Sequence, residues 1–96
     1  QEGYANTAYI SQYGSNNEAD IDQYGAYNYA HIYQSGEYNI AATYQDGVSN
    51  VATVAQYGIG SLGNENQAYV NQYNSGHLAH VTQAGGGGNY ATVLQY

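Results

Sequence analysis

The chain is predicted to be all-β: a β-solenoid of four two-strand rungs, about 22 residues per rung, with cross-β stacking into fibres. Three observations predict this. A phrase, Asn-x-Ala-x-Ile/Val-x-Gln-x-Gly, starts at Asn6, Asn17, Asn28, Asn39 and Asn50, eleven residues apart each time, and looser copies start at Asn66, His77 and Asn89. Within each copy the positions alternate between two kinds of residue, the period of a strand with two different faces. Every copy offers the same side chains on one of those faces, so copies can stack like over like, as in repeat architectures.

Composition narrows the functional classes. The 96 residues include no Lys, Arg, Pro, Cys, Met, Phe or Trp, against 14 Tyr and 13 Gly, and the formal charge is −7. Such a chain repels polyanions, which sets nucleic acid aside and disfavours an anionic membrane surface. Without cysteine there is no disulfide staple. No run approaches the 18 apolar residues of a membrane span, so no membrane insertion is expected. A start at Gln1 suits a mature, processed form. The low charge would suit disorder, but disorder needs no register, and this chain keeps one.

In chain order, residues 1–5 read as an N-terminal lead-in without repeat identity, and residues 6–96 as the repeat domain. From Asn6 each unit is seven alternating positions and then a turn; a Gly every eleven residues disfavours helix. The restricted face carries Asn6, Ala8, Ile10 and Gln12, then Asn17, Ala19, Ile21 and Gln23. Asn28 and Gln34, Asn39 and Gln45, Asn50 and Gln56, Asn66 and Gln72, and Gln83 hold the same places, and Asn89, Ala91, Val93 and Gln95 close the series. A restricted face meets a fixed environment, so it is placed inside, which leaves Glu18, Asp20 and Asp22 outside in water. Gly14, Gly25, Gly36, Gly47 and Gly58 mark the turns, where positive φ is expected.

Units starting at Asn6, Asn28, Asn50 and His77 are predicted to form one sheet, and the intervening units the other. Ala and Ile/Val then fill a thin core, while Asn and Gln bond to their copies in the next rung as amide ladders. The period breaks twice. Five extra residues separate Gln56 from Asn66, and one extra residue extends the Gly85–Gly88 run. Both breaks fall at turns on the same edge, where a solenoid tolerates insertion.

The spacing Gln12-x-Gly14-x-x-Asn17-x-Ala19-x-x-x-Gln23 resembles the curlin repeat, and the resemblance covers residues 6–96. Curlin is the major subunit of curli, the functional amyloid of bacterial biofilm matrices. The resemblance implies a secreted β-solenoid that stacks head to tail with itself into fibres at the cell surface. It implies, too, a nucleator subunit and secretion machinery as partners, with the inner Asn and Gln carrying polymerisation. Departures are Thr43 at an Ile/Val position, Asn74 for the turn Gly and His77 for Asn. They leave open whether the chain is the bulk subunit or the nucleator of the fibre.

No enzyme, cofactor or metal site is expected. Gly85–Gly88 lacks the Lys-Ser/Thr and helix of a phosphate loop, and no acid pair or Ser/His/Asp order recurs. Glu18, Asp20 and Asp22 alternate along a strand about 6.6–7 Å apart, too far for tight Ca²⁺ coordination. His31 and His80 read as surface residues, and His77 as a tolerated ladder substitution with a pH-sensitive joint as its rival. The tyrosines read as cross-rung stacking, with fibre adhesion or aromatic and carbohydrate binding as the rival. A monomeric binding module such as an ice-binding protein would need a flat row of Thr. The outward residues here are mixed, as Thr7, Tyr29, Val51 and Leu78 show.

Overall fold

The computed structural model describes residues 1–96. Nine strands follow one another: β1 (Glu2–Tyr4), β2 (Thr7–Ser15), β3 (Glu18–Ala26), β4 (Tyr29–Glu37), β5 (Asn39–Val48), β6 (Val51–Ile59), β7 (Asn66–Ser75), β8 (Leu78–Gly86) and β9 (Tyr90–Gln95). They form two parallel sheets, β1-β3-β5-β7-β9 and β2-β4-β6-β8, so the chain crosses between sheets at every turn. This is the solenoid expected from the repeat. Like pairs with like up each sheet: Ala8, Ala30, Ala52 and Ala79 are in one register, and Gln12, Gln34, Gln56 and Gln83 in another. The body measures 37 × 21 × 17 Å.

Between the sheets lies a core of small and branched side chains. Ile32, Val54, Val70 and Val81 pack with Ala41, Ala52, Ala68 and Ala79. The alternation that predicted strands is what lets both sheets put apolar positions on their facing sides. One departure sits in this core: Thr43 is buried between Ile21 and Val70 in register, and its hydroxyl has no partner.

The structure corrects three expectations. Strands β2–β8 run nine or ten residues rather than seven, because Gly14 and Ser15 still pair with Gly36 and Glu37, and later units do likewise. The reversal falls two residues past each Gly, where Ala5, Asn16, Tyr27, Tyr38 and Ser49 have φ of 56–59°. Gly58, expected at positive φ, is not among the positive-φ residues. Thirdly, residues 1–4 do carry repeat register: Gln1 donates to Gln23, and Gly3 pairs with Gly25. The Gln1-x-Gly3 half-unit lacks the Asn and Ala that make the phrase recognisable.

The insertions meet as expected on one edge. Ser61 and Asn64 bridge in a tight hairpin, and the Gly88 N–H donates to the Asn64 carbonyl at 3.0 Å.

Candidate functional site

The molecule has no pocket and no cluster of groups placed to hold a metal ion. Its chemistry lies in side-chain columns that run along the stack and end at the outer rungs.

The Gln column is the most regular. Gln12 Nε2 donates to Gln34 Oε1, Gln34 to Gln56 and Gln56 to Gln83, at 2.7–2.8 Å. Gln1, Gln23, Gln45, Gln72 and Gln95 repeat this in the other sheet, each bond 2.8 Å. The second amide hydrogen crosses between sheets: Gln23 donates to the Thr7 carbonyl, Gln34 to Glu18, Gln45 to Tyr29 and Gln72 to Val51. One amide therefore joins rung to rung and sheet to sheet, and every amide points the same way along the stack. Glu would supply no donor there and would stack like charge on like charge. Gln23, Gln34, Gln45, Gln56 and Gln72 are fully buried, so each satisfied bond avoids a desolvation cost of about 1–3 kcal/mol.

The expected Asn amide ladder forms in one sheet only, and in both sheets Asn also serves the backbone. Asn28 Nδ2 donates to the Tyr24 carbonyl below and the Gly47 carbonyl beside it, and Asn17 does the same with Tyr13 and Gly36. Its Oδ1 accepts a backbone N–H one rung on: Asn6 from Asn28, Asn28 from Asn50, Asn50 from His77. Asn thus satisfies backbone groups that the turn frees, a task local to each arc. In the other sheet Asn17, Asn39, Asn66 and Asn89 also bond amide to amide in an unbroken series. His77 keeps the backbone bond, but its own Nε2 is buried without a partner.

The glycines are fixed by close approach. A Cβ on Gly14 would stand 1.9 Å from the Gly36 carbonyl oxygen, and one on Gly36 1.9 Å from that of Gly58. A Cβ on Gly58 would stand 2.3 Å from the Gly85 carbonyl oxygen, so this position needs no left-handed φ to require glycine. Asn74 stands in the glycine register opposite Gly47, and Gly76 takes the left-handed place two residues on.

Position in the stack divides the predicted inner residues. Asn28, Ala30, Ile32 and Gln34 are buried, as are their equivalents in β5, β6 and β7. In β2, Ile10 and Gln12 are exposed and Asn6 and Ala8 half-buried; in β9, Ala91, Val93 and Gln95 are half-buried. Ala19 and Ile21 of β3 are half-buried too, beneath the short β1.

Outside, the sheets differ. The outward residues of β3 and β5 include Glu18, Asp20, Asp22 and Asp46, all exposed, whereas the other sheet carries His31 and His80. Tyr rings stack up both faces, at centroid distances of 5.3–5.6 Å for Tyr13–Tyr33–Tyr57 and for Tyr24–Tyr44–Tyr73–Tyr96. Desolvation first, then the Asp46 carboxylate, raises the Tyr44 phenol above its ordinary 10.0. The sequence reading gave the tyrosines cross-rung stacking but not the diagonal step by which Tyr33 and Tyr44 complete the columns. The available signal was that Tyr stands before the Gln in the two units where Ser35 and Asp46 follow it.

Compared with known proteins, the chain matches the family model of the curlin associated repeat over residues 1–25 and 14–42. A search of curated proteins finds no match. Residues 1–42 are therefore similar to the curlin repeat, and the later strands continue the matched segment in the same register. That repeat belongs to a structural amyloid-subunit family and supports a curli-like amyloid subunit in general.

Proposed function

From its curlin-like repeats we propose that this chain is the structural subunit of an extracellular curli-like fibre that grows end to end. Fibres of this kind contribute to biofilm matrix, adhesion and surface attachment. One observation carries the reading: inner-face residues that are sealed in the middle rungs stand open at the outer ones, with Ile10 at 47 % exposure against 0 % for Ile32.

The outer strands β2 and β8 each leave one edge of backbone groups unpaired, a template for a further strand. A copy whose β2 lies over β8 of another sets Ile10, Ala8 and Gln12 over Val81, Ala79 and Gln83. The Gln83 amide, aimed outward by the polarity of its column, then meets the Gln12 oxygen of the incoming copy. First and last rungs are different surfaces, so the contact is heterologous, head to tail, and does not close. The folding residues Asn6, Gln12, Gln83, Asn89 and Gln95 are in this reading also the polymerisation residues. A nucleator subunit and secretion machinery are partners by family resemblance.

Fibre diffraction of the incubated protein tests the proposal. A meridional reflection near ~4.8 Å, the rung spacing, is expected. A chain that stays monomeric for days at micromolar concentration, or fibres without that reflection, overturns it.

A further inference from the structure

Register alone does not make the tyrosine columns. In β2, β4 and β6, Tyr13 and Tyr57 both pair with Ser35, which would leave a gap between them. Tyr33, two residues earlier on the same outward side, closes it, 5.6 Å from Tyr13 and 5.3 Å from Tyr57. On the other sheet Tyr24 and Tyr73 both pair with Asp46, and Tyr44 closes that gap at 5.6 Å to each. Both columns thus stay unbroken across three rungs by the same diagonal step, within the reach of aromatic side chains.

The chain has no cysteine and no lysine, so neither a disulfide nor a lysine isopeptide can tie one rung to the next. Phenols can. We propose that the two columns are oxidative cross-linking sites, where a one-electron phenol oxidant of the haem peroxidase and hydrogen peroxide class joins Tyr33 to Tyr13 or Tyr57, and Tyr44 to Tyr24 or Tyr73, as dityrosine.

The chemistry balances. Each of two phenols gives up one electron and one proton to become a phenoxyl radical. The radicals join through the ring carbons ortho to oxygen, and both rings regain aromaticity by moving the ortho hydrogen to oxygen. One hydrogen peroxide is reduced to two waters. The chain loses two hydrogen atoms per bond. Tyr13, Tyr24 and Tyr57 are exposed, so the oxidant reaches each column from solvent. A radical formed there finds its partner already alongside, which favours coupling within the chain over coupling between chains. The new bond ties β4 to β2 or β6, or β5 to β3 or β7, so those rungs no longer separate without breaking carbon–carbon bonds.

The test uses the dilute folded chain with peroxidase and limiting hydrogen peroxide, read by dityrosine fluorescence, intact mass and mapping of linked peptides after cleavage at acidic residues. Linked peptides are expected to pair Tyr33 with Tyr13 or Tyr57 and Tyr44 with Tyr24 or Tyr73, on monomers lighter by two hydrogens per bond. Tyr33→Phe and Tyr44→Phe together keep the rings in place and are expected to abolish the links between β2, β4 and β6 and between β3, β5 and β7. Tyr73 and Tyr96, 5.3 Å apart, are left as the one column pair that still couples. Tyr38→Phe, a ring outside both columns, is expected to leave the yield unchanged. Links spread evenly over all tyrosines, or the same linked pairs from the urea-unfolded chain, overturn the proposal. Because fibres are not needed, these outcomes are separate from those that test polymerisation.

Discussion

Ile10 and Ile32 are the same residue in the same unit position, paired with each other across β2 and β4, yet one is half in water and the other is sealed. The same contrast holds for Gln12 against Gln34, which donates both along the stack and across it, while Gln12 makes only the bond along the stack. Nothing local distinguishes the two strands. The difference is one neighbour, and it shows that in this fold burial is conferred by the next rung rather than by the strand itself. Stability is then largely a sum over rung-to-rung contacts.

The contrast can be broken hardest at the glycines. Gly36→Ala drives a methyl into the Gly58 carbonyl at 1.9 Å and is expected to cost about 4 kcal/mol or more, enough to open the β4–β6 pairing. Gly85→Ala meets nothing within 4 Å and suffers only its φ of +108°, about 1–2 kcal/mol. Urea unfolding of the two variants measures the difference; equal losses would show that φ, not close approach, fixes these positions.

At the glutamines, Gln34→Ala strands the Gln56 oxygen, the Gln12 amide and the Glu18 carbonyl, an expected loss of about 3 kcal/mol. Gln12→Ala, open to water, is expected to cost about 1 kcal/mol or less in the unassembled chain. In the core, Ile32→Ala is expected to cost about 2–4 kcal/mol, against about 1 kcal/mol for the half-exposed Ile10. If copies stack end to end, the gap between Ile10→Ala and Ile32→Ala narrows in fibres, which hydrogen exchange of β2 before and after assembly reads directly.

Two smaller effects sharpen the picture of the middle rungs. Thr43→Val fills the apolar register between Ile21 and Val70 and removes the unpartnered hydroxyl, an expected gain of about 1–2 kcal/mol in urea. Tyr44 holds its proton more tightly in the folded chain than in the unfolded one. Its contribution is therefore complete below pH 10.0 and lost as pH rises above that value. Tyr44→Phe is expected to flatten that alkaline loss in a pH series of melting curves.

The sequence by itself determined the strands, the inward face and the pairing of alternate units, because alternation and a fixed period are properties of the chain read in order. It marked Ala8, Ile10 and Gln12 as inward, and it placed the two insertions on one edge. Tertiary structure decided whatever depends on the distance between rungs. Only stacking shows that the glycines answer to a carbonyl one rung away, that Asn serves the arc in both sheets and the stack in one, and that the chain reverses at residues as unlike as Ala5, Tyr27 and Ser49. Only stacking brings Tyr33 beside Tyr57, 24 positions on in the chain, and closes the columns. The physical reason is the same in each case: these contacts join residues roughly two units apart in sequence, and a period states that such residues are alike without stating how closely they meet.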